Sequence, residues 1–135
     1  MKNKTVTYIG LIIFLIICIY GTYKMRIETR LIKDRGKYTI GIIEKIKTGS
    51  KGIRVFIKYS YNKKEIESNY IVYYEDRNKI NIGKRIFVKF IPPEYKNEYM
   101  RTNLDCLVPD SIISAPPTGW TKEWMKQHFP NCVDL

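Results

Sequence analysis

Residues 38–59 read YTIGIIEKIKTGSKGIRVFIKY, and their period of two sets the fold class. Tyr38, Ile40, Ile42 and Ile46 fall on one side of an extended chain, with Glu44 the single break. Thr48 to Gly52 is a turn cluster. Beyond it Ile53, Val55, Ile57 and Tyr59 alternate with Arg54, Phe56 and Lys58. Two alternating runs around a Gly-bearing loop read as a β-hairpin.

Downstream the pattern continues. Asn62-Lys63-Lys64 makes the next turn, and Ile66, Tyr70, Val72 and Tyr74 share a face of a third strand. Glu75 to Lys79 is a polar loop. Gly83 opens a fourth strand with Ile86, Val88 and Phe90 on one face, stopped by Pro92-Pro93, since proline cannot donate to a ladder. A fifth, shorter strand runs from Leu104 to Val108, ahead of Pro109. Five short strands with no intervening helix predict an antiparallel meander curled into a small barrel or half-barrel, because a flat sheet would leave an apolar face and both edges open. In residues 115–135, Thr121 is placed to cap a short helix that Pro130 ends, with Trp120, Trp124 and Phe129 on one flank.

Upstream lies a different chemistry. Thr5 to Tyr23, TVTYIGLIIFLIICIYGTY, holds no charge, and as a helix it extends about 28 Å, close to the thickness of a bilayer's hydrocarbon core. Tyr8, Tyr20 and Tyr23 stand near its ends, and Lys2, Lys4, Lys24, Arg26 and Arg30 flank it. The pattern predicts a retained membrane anchor. A cleaved export signal is the competing reading, but no small-x-small site follows, and Ile16 and Ile17 before Cys18 do not suit a lipoprotein. A buried core helix is the third. The predicted organisation is a tail at 1–4, a transmembrane helix at 5–23, a basic juxtamembrane helix at 24–37 ending near Gly36, a β-domain at 38–114 and an aromatic tail at 115–135. Orientation is pulled two ways: the basic residues after the span favour a cytoplasmic domain, whereas the amino terminus looks like an export signal, and the balance leans outward across the cytoplasmic membrane.

The 135 residues carry 24 Lys+Arg and 13 Asp+Glu, a net charge of +11. That length supports one domain, not two. Three cysteines do not make a dense disulfide scaffold, and no spacing suggests a metal or cofactor. The abundance of Ile, Lys, Asn and Tyr, with Ala115 the single alanine, points to an AT-rich bacterial genome.

The cadence from Gly41 to Met100 — GIIEKI, a glycine turn, IRVFIKYSY, a polar turn, then GKRIFVKFIPPE — resembles a loosely defined family of small bacterial membrane-anchored β-domains of unknown function. The family's glycine at the start of the last strand corresponds to Gly83, and its terminal run to Val88-Lys89-Phe90-Ile91-Pro92. Asn62-Lys63-Lys64 stands where the family has a glycine turn. The resemblance implies fold and membrane attachment and no activity.

Catalysis needs a positioned acid, base or nucleophile. His128 is the only histidine, and the pairs Glu65/Glu67 and Glu75/Asp76 read as solvated turn residues. No enzyme is expected. Cys106 reads as a small buried residue on the inward side of the last strand with Leu104 and Val108; a disulfide with Cys132 is the alternative if the domain lies outside the cytoplasm. Arg54, Lys58, Lys84, Arg85 and Lys89, interleaved with Phe56, Tyr59 and Phe87, read as a basic face for anionic membrane or an acidic partner; nucleic acid is the less favoured ligand. Trp120, Trp124 and Phe129 either pack the tail across an open barrel end or project as an interface hot spot. The expected function is a membrane-anchored accessory or binding protein with a lipid bilayer and another protein as partners, in its most concrete form an immunity protein against a neighbour's toxin. A passive structural subunit of an envelope complex, or attachment to lipid or nucleic acid through the basic face, is the alternative.

Overall fold

A computed structural model describes residues 2–95 and 99–135. The chain divides into two compact units, Met1–Asp34 and Arg35–Leu135.

The first unit is helical. Helix α1 runs Lys2–Arg35. Its segment Asn3–Leu31, 29 residues, is long and apolar enough to cross a membrane, and none of its most apolar stretch is buried in the protein. At 1.5 Å per residue that segment extends about 44 Å. Threonines inside it, Thr7, Thr22 and Thr29, turn their hydroxyls back to carbonyls three or four residues earlier, leaving no polar hydrogen of these side chains facing outward.

The second unit is a five-stranded antiparallel sheet. Its strands are β1 (Lys37–Gly49), β2 (Gly52–Tyr61), β3 (Lys64–Val72), β4 (Arg85–Phe90) and β5 (Met100–Leu107), in spatial order β3-β2-β1-β4-β5. A second helix, α2 (Lys122–His128), follows, with the Thr121 side chain accepting from the Trp124 amide at its start. The sheet does not close, and the fold is a half-barrel. Yet Val72 on one edge strand and Leu104 on the other lie in the same core cluster, with Ile43, Val55, Ile57, Ile86 and Val88 between them. A 3-10 turn, Tyr74–Lys79, helps span the opening: Lys79 Nζ lies 3.3 Å from both Asp76 and Asp105.

Strand β1 makes the curl possible. It pairs with β4 through residues 37–42 and with β2 through residues 41–49. Between Ile43 and Lys45 the register with β2 shifts. Such an irregularity bends a strand and changes which side chains face inward. Gly41, ahead of the shift and paired to both neighbouring strands, is where a Cβ would come within 2.6 Å of Val88 and 2.7 Å of Ile57.

This irregularity corrects the expected inward face of β1. Tyr38 and Ile40 belong to a second cluster on the other side of the sheet, and Ile42 is 42% exposed. The residue in the main core is Ile43, fully buried, with Ile46 packed against it after the shift. β2 and β4 follow their expected alternation, although β4 buries both faces, Phe87 joining the second cluster. β3 ends at Val72, so Tyr74 opens the 3-10 turn and is no strand residue. In β5 the register slips between the pairs Val88–Thr102 and Ile86–Leu107. Leu104 therefore packs in the first cluster while Cys106 and Val108 pack in the second, against the expectation that all three share a face.

The chain after β5 covers the second face. Trp120 exchanges two backbone hydrogen bonds with Tyr38, 2.7 and 3.0 Å long. Gly119 permits this approach: its φ is +75°, and a Cβ there would lie 2.7 Å from the Tyr38 carbonyl. A Cys106–Cys132 disulfide and the buried Tyr38–Val133 hydrogen bond hold the end of the chain on the sheet.

Candidate functional site

The aromatic tail residues have a structural use. Trp120 is 8% exposed and packs edge-on against Phe87, and Phe129 meets Phe87 at a centroid distance of 4.7 Å. Both lie across the outer face of the sheet, not across an open barrel end. Trp124 stacks on Trp120 at 4.7 Å, and His128 stacks on Trp124 at 4.2 Å, making a three-ring ladder along α2. The His128 Nδ1–H donates to the Trp124 carbonyl, 2.9 Å away. Only the outer end of this ladder meets solvent, since His128 is exposed and Trp124 half-buried.

Strand registers disperse the five basic residues expected to form one face. Lys58 is paired with carboxylates, 2.8 Å from Glu65 and 3.5 Å from Glu44, and the hydrogen bond to Glu65 raises its pKa above that of a free lysine. Lys84 donates to the Lys79 carbonyl. Arg85 donates to the carbonyls of Ile112 and Ile113. Lys89 is 5% exposed, its ammonium 5.4 Å from the Tyr38 ring centroid, and burial lowers its pKa, assisted by Lys122. Arg54 alone of the five is exposed without an ion pair among the described residues.

Two of these residues do converge. Lys58 on β2 and Arg85 on β4 are both cross-strand partners of Ile42. They therefore flank it on one face of the sheet. Above them runs a strap, residues 112–117, held at one end by Arg85 and at the other by a 2.8 Å bond from the Asn62 amide to the Pro117 carbonyl. Between strap and sheet lies an open groove of about 360 Å³. Ile40 and Ile42 give it apolar lining, Lys58, Glu65 and Arg85 give it charge, and Pro116 contributes from the strap. Ile113, 87% exposed, sits on the strap itself. The groove is concave and largely apolar, with a few polar groups at its wall, the makeup that ligand sites share.

Sequence reasoning found Lys58 and Arg85 but missed Ile40, Ile42 and the strap. The signal was present in Ile42-Ile43 beside Glu44, two adjacent apolar residues that a simple alternation cannot both bury. Among the described residues, no group of three or more His, Cys, Asp or Glu side chains converges on a position for a metal ion.

Fold and groove together define a class, an open β-half-barrel preceded by a long apolar helix. Comparison with protein-family models, curated proteins and solved structures gave no match.

Proposed function

We propose that this chain is a single-pass protein of the bacterial cytoplasmic membrane whose half-barrel lies outside the cytoplasm and binds another protein without catalysing a reaction. The observation that carries the reading is the strap groove, apolar along its lining and charged through Lys58, Glu65 and Arg85. A partner's apolar side chain and a neighbouring charge find complementary groups there. The long apolar segment of α1 supports the anchor. The Cys106–Cys132 bond supports the outer side, because disulfides persist in oxidising compartments. A non-catalytic role fits a sole histidine engaged by Trp124 through both its ring and its Nδ1.

Within this class the concrete reading is an immunity protein that blocks a toxin. Co-expression with toxic products of adjacent genes tests it: protection is expected, and its absence for every pair removes it. The wider reading is tested by a photo-crosslinking residue at Ile42 or Ile113 in the full chain in its own membrane. A discrete adduct, lost when Arg85 is replaced by alanine, is expected; no adduct at either position contradicts the groove as a binding site.

A further inference from the structure

The outer face of the sheet carries two kinds of charge. Around Lys58 the cation is matched by Glu44, Glu65 and the cross-strand partner Glu67. Toward the β1–β2 turn the charge has one sign. Lys47 and Arg54 are directly opposite each other across the two strands, with Ile71 of β3 the next residue in the row. One step back, Lys45 is opposite Phe56, and the ammonium groups of Lys45 and Lys47 both lie over that ring, at 5.7 and 5.6 Å. Lys51 extends the series into the turn. None of these four cations has a carboxylate within ion-pair distance among the described residues.

Like charges placed directly opposite in a sheet destabilise it. Lys58 and Lys79 have carboxylate partners, whereas at the hairpin the like charges of Lys47 and Arg54 stand opposite each other with none. Lys47, Lys51 and Arg54 also line one groove, about 280 Å³, with Ile71 beside them. The Tyr74 hydroxyl donates to the carbonyl of Gly49 in the same turn.

We propose that this groove is a phosphate-binding site, filled by the phosphate of a lipid headgroup or of a soluble phosphate compound. Three cations around one small groove exceed what a single carboxylate neutralises, whereas a phosphate group brings up to two negative charges and several acceptor oxygens. The lysines supply mobile point charges and Arg54 a planar donor fork, a combination that suits a tetrahedral anion. The site is separate from the strap groove, and its failure leaves the protein-binding reading intact.

The test uses the full chain in phosphatidylcholine nanodiscs, with unfolding followed through Trp120 and Trp124 fluorescence. Titrated inorganic pyrophosphate is expected to raise the unfolding temperature, by ligand linkage. Lys47→Glu turns a repulsive cross-strand pair into an attractive one. It should raise the unfolding temperature without ligand while weakening pyrophosphate binding about tenfold or more. The control Lys64→Glu/Lys126→Glu removes charge elsewhere and should change that affinity less than about twofold. Discs containing phosphatidic acid test the headgroup source: stabilisation there identifies lipid, stabilisation by pyrophosphate alone identifies a soluble ligand, and either supports the site. The proposal is overturned if neither stabilises, if poly-glutamate binds as well as pyrophosphate, or if the control variant loses affinity as Lys47→Glu does.

Discussion

The Tyr38 hydroxyl donates a 2.6 Å hydrogen bond to the carbonyl of Val133, tying the second residue of β1 to a position 95 residues later. Tyr38 is fully buried, and its ring lies in the cluster that also holds Trp120, Met125 and Cys106. One side chain thus joins the start of the sheet to the end of the chain.

Replacing Tyr38 by phenylalanine keeps the ring and leaves the Val133 carbonyl without this donor, at an expected cost of about 1–2 kcal/mol in denaturant unfolding. Burial, with Asp134 and Glu123 nearby, pushes the Tyr38 pKa up to about 12 from the usual 10. An unfolded tyrosine releases its proton first, so this contribution to stability is whole below pH 10 and falls away as pH rises toward 12. Tyr38→Phe should lose that part of the alkaline decline, so the gap between the two proteins narrows across this window. An unchanged gap from pH 9 to pH 12 counts against the buried hydroxyl.

Cys106 and Cys132 close a loop with a sequence separation of 26. A loop of that size corresponds to about 3 kcal/mol of stabilisation. Cys106→Ser/Cys132→Ser should lower the unfolding midpoint accordingly and expose residues 120–135 to protease first. Mass analysis of protein denatured without reductant and then alkylated should find one modified thiol, Cys18, and three when reduction precedes alkylation.

Gly41→Ala puts a methyl where Val88 and Ile57 already stand, at 2.6 and 2.7 Å. Overpacking at this buried position should cost about 1–3 kcal/mol. Gly83→Ala, where a Cβ meets open space but φ is +86°, is the companion variant. Its loss should come from backbone strain alone and be smaller, about 1 kcal/mol.

The strap depends on Arg85. Arg85→Ala removes the donors to the Ile112 and Ile113 carbonyls. Hydrogen exchange should accelerate in residues 110–117 while the amides of β2 stay protected. Arg85→Lys, one flexible ammonium in place of a planar fork, should restore this only in part.

How much of this was legible in the sequence follows from where alternation holds. Ile53, Val55 and Ile57 on β2 alternate without interruption, and their burial could be read directly. Glu44 hid a change of face: Ile43 already faces inward opposite Ile57, Ile42 faces the groove, and the shift between Ile43 and Lys45 brings Ile46 round to the core side. The slip in β5, which separates Leu104 from Cys106, has no local mark, because it depends on the partner strand. Trp120 and Phe129 were identifiable as a packing or interface group, but the choice of the outer sheet face rests on Phe87 being free to receive them. The single basic face failed for the same reason. Arg85 and Lys89, four residues apart on β4, end beneath the strap and beside the Tyr38 ring respectively.

Alkaline carbonate extraction of membranes from cells making the full chain tests the central claim most directly. The account predicts that an intact chain, with Thr5 to Tyr23 still attached, remains in the membrane pellet. Recovery of the chain in the soluble fraction, or of a mature product that begins beyond Tyr23, contradicts it.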